Sequence, residues 1–346
     1  MGTINDIKSI FTGLSAYQQA QVLDDLLHEH EVQGKVIDLA FDELKQERNK
    51  KPCPFCNSNK VYKRGKQNGV QMYQCQVEDC KKWYSETTGT PLWDIKLKTK
   101  WQGYLRCMEN KMTLKAISEE LKISIQTSFD WRHKILSSLN KFIPETLSGT
   151  VESDEFELAL SNKGQRNLQR TPRKRGTDFK RNNKENEEEV TVVQVVTAVE
   201  RGGETYLKAV ESKRLTTEEI TQAFDGKLAD GTILITDSHN SYKSFAKANP
   251  TIIHKTFIAK EHVHKTDKKI HVQGVNNKHK KLKDFLKPFN GVSSKYLQNY
   301  LNMFAYSEKL RETKHTIKQW IMTGLIADNS YDIFLLFKQN AVNIRI

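Results

Sequence analysis

Apolar residues recur at two different spacings along this chain, and the spacing changes near residue 150. Before that point they fall three or four positions apart, which is the period of an amphipathic helix. This period predicts helices over residues 4–48, 101–108 and 112–136. After it, apolar residues alternate with polar ones or gather in short β-branched runs, which predicts strands.

The pattern over 112–136 predicts two helices joined by a tight turn. Leu114, Ile117 and Leu121 face inward on the first helix, and Ser124 is a suitable N-cap for the second. In a helix-turn-helix the second helix presents side chains to DNA. A plain helical hairpin remains the alternative. The residues expected to face outward are Gln126, Thr127, Asp130, Arg132 and His133.

The second half of the chain predicts a mixed sheet flanked by helices. Its order is three strands, then helix, strand, helix, strand and helix, which is the order of an RNase H-like fold. In that fold the first and fourth strands are neighbours at the centre of the sheet. The predicted strands are 151–160, 190–199, 205–210, 232–236 and 252–258, and the predicted helices are 216–228, 242–248 and one from about 275.

Two aspartates occupy corresponding places on the two central strands. Asp154 lies within the first strand and Asp237 ends the fourth, so the fold would bring them together. Paired carboxylates suit two Mg²⁺ ions that clamp a phosphodiester during its cleavage. Either aspartate taken alone is more simply a loop or strand-end residue. Glu152 shares the strand face of Asp154 and is a reserve ligand.

Four of the five cysteines form two close pairs. Cys53 and Cys56 are separated from Cys75 and Cys80 by a segment that alternates like two short strands. This spacing predicts a zinc ribbon with one structural Zn²⁺, whose binding stabilises a unit too small to fold alone. Four incidental thiols are the alternative.

Charge points to a polyanionic partner. The formal net charge is +13 and the sequence pI is about 9.3, which suits nucleic acid or an anionic membrane surface. The sequence has no run of the ~18 apolar residues that a membrane span needs and no signal-peptide pattern. We therefore expect a cytoplasmic protein. Two basic stretches, 161–188 and 254–287, predict phosphate contacts, with Arg170, Arg173, Lys174, Arg175, Lys278 and Lys280 as candidates.

Several separated segments resemble one known family. Residues 235–242, 271–283 and 291–301, together with 53–80 and 88–90, are similar to bacterial insertion-sequence transposases that have an N-terminal zinc ribbon and an ISXO-like DDE domain. The resemblance covers roughly residues 50–306. It implies that double-stranded DNA, as the element's terminal inverted repeats and the target, is the partner. It also implies strand cleavage followed by strand transfer through a 3′-hydroxyl.

The resemblance also implies roles for single residues. Asp154 and Asp237 would be the first two metal ligands, Asn276 would take the third position, and Lys283 would contact phosphate. Relatives often have Glu where this chain has Asn276, although one branch has Asn. An amide oxygen can ligate a hard cation without adding charge. The implied cofactors are two Mg²⁺ or Mn²⁺ ions per active site, and the implied assembly is a homodimer or larger, located at the nucleoid.

The chain therefore predicts a multidomain protein of α+β and α/β class. The expected domains are a helical segment 1–48, the ribbon 50–86, the helix-turn-helix region 87–147, the RNase H-like domain 150–306 and a helical tail 307–346, which includes the apolar stretch 331–337. Two other functions remain open. One is a non-catalytic, domesticated DNA-binding regulator, and the other is a nuclease that cuts without joining.

Overall fold

The computed structural model describes residues 4–15, 52–67, 69–165, 167–168, 192–261 and 263–312, with a few single positions between 18 and 46. Only the start of the helix predicted over 4–48 is described, as α1 (Ile4–Thr12). Some expectations lie outside the described residues: most of the N-terminal apolar stripe, the apolar stretch 331–337, and the candidate DNA contacts Arg170, Arg173, Lys174 and Arg175.

The cysteine-containing region is a three-stranded antiparallel sheet in the order β1-β2-β3. Its strands are β1 (Val61–Gln67), β2 (Val70–Cys75) and β3 (Trp83–Ser85). The alternation of apolar residues predicts the first two strands. At three residues, the third is too short to show an alternating pattern. Tyr73 and Tyr84 are buried and stack with ring centroids 5.4 Å apart, so one face of this sheet packs against the cysteines.

Three helices follow: α2 (Lys98–Glu109), α3 (Leu114–Leu121) and α4 (Ile125–Ser138). The N-cap of α4 is Ser124, as predicted, and its side chain accepts a hydrogen bond from the backbone N–H of Thr127. Thr113 caps α3 in the same way. The predicted helix pair is therefore present, while its binding to DNA stays a prediction.

Arg132 and His133 do not face outward as expected. Arg132 is 2% exposed and donates to the backbone oxygen of Met112 (2.5 Å). His133 is 3% exposed and lies 3.1 Å from the amide nitrogen of Asn299. Burial, together with the charge of Arg132, lowers the pKa of His133 to about 3, so its ring is neutral. The prediction that these two residues reach DNA is wrong, whereas Gln126 is exposed.

The large sheet has five strands in the order β6-β5-β4-β7-β8. Strand β4 pairs antiparallel with β5 and parallel with β7, so the first and fourth strands of this sheet are neighbours, as predicted. The mixed sheet flanked by helices is thereby confirmed. Its strands are β4 (Thr150–Ala159), β5 (Val192–Glu200), β6 (Thr205–Val210), β7 (Ile233–Asp237) and β8 (Ile253–Phe257).

Helices cover both faces of this sheet. α5 (Thr217–Ala223) and α6 (Asn240–Ala248) pack on one face, and α7 (Gln273–Leu286) and α8 (Ser294–Glu312) on the other. A Thr216–Glu219 capping box starts α5 at the position predicted for the helix over 216–228, but the helix ends at Ala223. The end of α5 is buried, since Ala223 and the following Phe224 belong to the hydrophobic core between the sheet and helices α5 and α6.

One hydrophobic cluster joins the helices before residue 150 to the large sheet. It contains Leu136 of α4, Val195 of β5, Phe285 of α7 and Phe304 of α8, each at most 7% exposed. The helix pair and this face of the sheet therefore share a continuous core. None of the helices that the structure describes has the length and apolar character needed to cross a bilayer.

Arg132→Ala should lower the free energy of unfolding by roughly 2–3 kcal/mol, because hydrogen bonds from a buried charged donor are lost. Urea unfolding followed by circular dichroism measures this change. Gln126→Ala, an exposed change on the same helix, should shift stability by less than about 0.5 kcal/mol. If the Arg132 variant has unchanged stability but binds DNA more weakly, the Arg132 side chain faces outward and contacts DNA after all.

Candidate active site and metal centre

The four paired cysteines converge on one point. Cys53 Sγ lies 3.9 Å from Cys80 Sγ, and Cys56 Sγ lies 3.5 Å from Cys75 Sγ. All four sulfur atoms are within 4.8 Å of one another. Sulfurs placed about 2.3 Å from a tetrahedral zinc ion would be roughly 3.8 Å apart. The donor set and its spacing therefore fit Zn²⁺.

Two tight turns present these thiols. Asn57 follows the first pair with a φ of 57°, and Lys81 follows the second with a φ of 42°. A left-handed residue reverses the chain within a few positions, so both thiols of a pair can point to the same side. The Cys-Pro-Phe-Cys and Cys-Gln-Val-Glu-Asp-Cys segments thus form the two knuckles predicted from their spacing.

Asp154 and Asp237 are brought side by side by the pairing of β4 with β7. The parallel register places Thr150 opposite Ile233 and Glu152 opposite Ile235. Asp154 and Asp237 each lie two residues beyond the last pair of this register, and the charge of Asp237 acts on the Asp154 carboxyl. Neighbouring strands lie about 4.8 Å apart and paired residues project to the same face. Two carboxylates therefore share the sheet face that α7 covers.

The surroundings of Asp154 disfavour its ionised form. Burial is the main cause, and the charges of Glu155 and Asp237 add to it, so the pKa of Asp154 rises from 3.8 to about 7. A hydrogen bond from the backbone N–H of Glu155 opposes this rise only in part. Carboxylates held close together in this way favour an added cation, because it relieves their repulsion.

Glu152 attaches α7 to the sheet. One of its carboxylate oxygens accepts from the backbone N–H groups of Gly274 (2.7 Å) and Val275 (3.3 Å) in the first turn of α7. The other accepts from Arg201 Nε (2.7 Å). A helix N-terminus has unsatisfied N–H groups and a positive dipole end, so a buried carboxylate stabilises it. Both carboxylate oxygens of Glu152 are engaged by these contacts. The expectation that Glu152 is a reserve metal ligand is therefore corrected.

The absence of a side chain at Gly274 leaves room for the Glu152 carboxylate. A Cβ atom on Gly274 would lie 2.8 Å from Oε2 of Glu152, closer than a Cβ approaches another atom. Because Asn276 is two residues further along α7, the close approach of Gly274 to Glu152 sets how near Asn276 comes to β4. Asn276 itself is exposed.

Lys283 extends back to the strand that carries Asp154. Its Nζ lies 4.9 Å from the ring centroid of Phe156, which is two residues after Asp154 on the same face. The ring of His279 stacks on Phe156 with centroids 5.3 Å apart. The ammonium group of Lys283 is thereby held on the aspartate side of α7, while Lys280 is exposed nearby.

Lys278 is not available to DNA. It is 8% exposed, and its Nζ lies 3.3 Å from a carboxylate oxygen of Glu308 on α8. The expectation that Lys278 contacts phosphate is therefore wrong. Spacing along α7 could not reveal this, because Glu308 lies on another helix, 30 residues away.

Glu155 is an acidic neighbour of Asp154 that the pattern of the sequence does not mark as a site residue. Burial and then the charge of Asp237 raise its pKa. Its Oε2 is buried and has no hydrogen-bond partner among the described residues. Alternation places Glu155 on the opposite face of β4 from Asp154, so the spacing of residues does not show that the charge of Asp237 acts on Glu155.

The family comparison covers this site. Residues 146–309 match the model of the ISXO2-like transposase domain. This part of the chain is therefore similar to the ISXO2-like transposase domain. The matched residues include both aspartates, Asn276 and Lys283, whereas the cysteine ribbon and helices α2–α4 precede the match. No curated protein matches the chain.

Solved structures give only distant likenesses. A simian T-cell lymphotropic virus intasome in complex with PP2A regulatory subunit B56 gamma is 13% identical, with a TM-score of 0.29, covering 59% of this chain and 67% of that one. A pre-cleavage Mos1 transpososome is 10% identical, with a TM-score of 0.27 and coverages of 67% and 77%. The Mos1 strand transfer complex is 12% identical, with a TM-score of 0.23 and coverages of 62% and 78%. At these scores the likenesses carry no argument.

Removal of one cysteine ligand should unfold the ribbon. We expect one Zn²⁺ per wild-type chain by inductively coupled plasma mass spectrometry, and none in Cys75→Ser, because three thiolates hold zinc far less tightly than four. Cys107→Ser, at a buried cysteine outside the cluster, is the control and should keep its zinc. Equal zinc content in both variants would contradict the assignment.

Asp154→Asn should stabilise the transposase domain at high pH. The folded chain keeps the Asp154 proton up to about pH 7, whereas the unfolded chain releases it near its ordinary pKa of 3.8. Wild-type stability therefore falls as pH rises through this window. Without added divalent cation, the variant should melt above wild type at pH 8 and show a smaller gain at pH 5.

The exposed Asp225→Asn controls for the loss of one negative charge. It should leave the melting temperature nearly unchanged at both pH values. A gain for Asp154→Asn that is equal at pH 5 and pH 8 would mean that Asp154 is not held in its neutral form.

Proposed function

We propose that this chain is the transposase of an insertion sequence, which cleaves DNA at the element ends and joins them to a target. The observation that carries the proposal is the parallel pairing of β4 with β7 within residues 146–309. Asp154 and Asp237 lie two residues beyond the last pair of this register, near enough for the charge of Asp237 to raise the pKa of Asp154. The fold expected for such chemistry is RNase H-like, and the β6-β5-β4-β7-β8 order supports it.

The acidic pair and α7 would hold the metal cofactor. Asp154 and Asp237 supply carboxylate oxygens, and Asn276 supplies an amide oxygen, which are the ligands that Mg²⁺ and Mn²⁺ prefer. Two bound ions would supply Lewis-acid activation of the attacking oxygen and stabilise charge on the leaving oxygen. Because Asn276 adds no charge, phosphates of the DNA would complete the negative charge of the site.

The remaining groups of the site would position DNA. Lys283 lies over Phe156, within reach of the aspartate face, where its ammonium group would hold a phosphate oxygen beside the scissile bond. Glu152 keeps the start of α7 against β4, so Asn276 stays in register with the aspartates. The chain thus supplies ligands, a phosphate contact and a rigid support, and no side chain acts as the nucleophile.

Cleavage and joining would be two phosphoryl transfers at one site. In the first, a water oxygen bonds to phosphorus, the P–O3′ bond at the element end breaks, and a 3′-hydroxyl is released. In the second, that 3′-hydroxyl bonds to a target phosphorus, and the target P–O3′ bond breaks. Both steps place a nucleophile and a leaving oxygen in line, so the same ligands, Asp154, Asp237 and Asn276, would serve both.

The helices before residue 150 would select the DNA. The exposed Gln126 and the partly buried Thr127 lie in the first turn of α4, the place from which a recognition helix contacts bases. Lys280, with Arg170, Arg173, Lys174 and Arg175, would add phosphate contacts that are independent of sequence. Joining two ends requires both at once, which implies a homodimer or larger assembly on DNA.

Asp154→Ala and Asp237→Ala should each abolish Mg²⁺-dependent strand cleavage and leave DNA binding intact, because either change removes a cation ligand without removing a phosphate contact. Cleavage is measured on a labelled duplex carrying the DNA sequence that flanks the gene. Gel-shift titration of the same duplex measures binding.

Asp225→Ala, an exposed aspartate of the same domain, is the control and should cleave like wild type. Full cleavage by either active-site variant refutes the assignment of the pair. Cleavage without joining would identify a nuclease, and DNA binding without cleavage by wild type would identify a regulator.

A further inference from the structure

The cysteine ribbon has a second sheet face, which points away from the knuckles. In the antiparallel register Tyr62 pairs with Gln74, and Gln74 pairs with Trp83, so these three side chains form a row across all three strands. The neighbouring row contains the buried Tyr73 and Tyr84, which pack with the cysteines. We call the outer surface, formed by Tyr62, Arg64, Gln74 and Trp83, the ribbon face.

Two large rings on the ribbon face are open to solvent. Tyr62 is 51% exposed and Trp83 is 56% exposed. Neither ring contributes to the small core of the ribbon, which contains Tyr73, Tyr84 and cysteines. Exposed aromatic rings grouped on one sheet surface are typical of a binding site, since core packing does not account for them.

Arg64 connects the two rings. Its guanidinium carbon lies 4.8 Å from the ring centroid of Tyr62 and 5.9 Å from that of Trp83. Its Nε donates to Oε1 of Gln74 (3.0 Å), which fixes the plane of the guanidinium between the rings. The ribbon face therefore offers flat π surfaces and a flat cation on one sheet, and nucleobases stack on both kinds of surface.

The charges on the strand that carries Tyr62 have one sign. No acidic residue occurs from position 48 to position 77. Strand β1 is exposed at every position after Val61, and it carries Lys63, Arg64 and Lys66. Lys60 immediately precedes the strand. Rings set among cations fit a ligand that alternates aromatic groups with negative charges, which is the chemistry of a nucleic-acid strand.

We propose that the ribbon face binds unpaired DNA, with bases stacked on Tyr62 and Trp83 and the backbone held by the cations of β1. Bases inside a duplex are covered on both faces by their neighbours, so exposed rings on a sheet stack on bases that have left the helix. The choice of DNA as the nucleic acid rests on the proposed function, whereas the stacking of bases rests on the exposed rings of Tyr62 and Trp83. Strand separation near a cut end would supply such bases.

The test compares two single strands that differ only in their bases. A labelled oligothymidylate and an abasic strand of equal length are titrated with the full chain by fluorescence anisotropy, without divalent cation. Wild type should bind the oligothymidylate more tightly. Tyr62→Ala and Trp83→Ala should each weaken that binding about 5-fold to 150-fold, the range for loss of one stacked base. The abasic strand reports phosphate contacts alone, so its affinity should not change.

Matched variants separate stacking from other losses. Tyr62→Phe and Trp83→Phe keep a ring and should retain most of the binding. Ile253→Ala, at a residue that is 51% exposed on β8, should bind like wild type. Unchanged zinc content shows that each variant keeps the ribbon folded.

Three outcomes overturn the proposal: no preference of wild type for the strand with bases, an equal loss on both strands, or unchanged binding by Tyr62→Ala and Trp83→Ala. Altered self-association of those variants together with unchanged binding would identify the ribbon face as a protein contact. Because the assay contains no Mg²⁺ and leaves both aspartates intact, its failure is distinct from a failure of the cleavage test.

Discussion

The parallel pairing of β4 with β7 is the contact on which the arrangement of the active site depends. Parallel strands cannot be joined by a tight turn, so the chain makes two further strands and a helix before it returns to the centre of the sheet. A shift of one residue between the two strands would send the two aspartate side chains to opposite faces. The apolar neighbours Val151 and Leu234, both fully buried, specify the register that keeps them together.

Much of this architecture could be predicted from the sequence because its signals are local. The β-branched run of β5 and the Thr216–Glu219 capping box act over a few residues, and the cysteine spacing is itself the knuckle pattern. The neighbouring positions of β4 and β7 followed from the order of the elements. The short strand β3 carries too few residues to show a period.

The wrong predictions share one cause. Arg132, His133 and Lys278 were assigned to the surface because they are polar, yet each is covered by side chains of α8, a helix distant in sequence. Helical period shows which positions share a face, but it does not show what lies against that face. Glu152 is a related case, since its partners on α7 lie more than a hundred residues away. Long-range pairing of polar groups is visible only in the fold.

The continuous core between α4 and the large sheet would fix the distance along DNA between the sequence that is recognised and the bond that is cleaved. Leu136, Phe304 and Val195 lie in one buried cluster. Arg132 of α4 also donates a hydrogen bond to the hydroxyl of Tyr300 of α8. Close-packed side chains do not slide past one another without leaving voids. If α4 recognises a DNA sequence, the distance between α4 and the active site is fixed by this packing. The number of base pairs between the recognised sequence and the cleaved bond is then fixed as well.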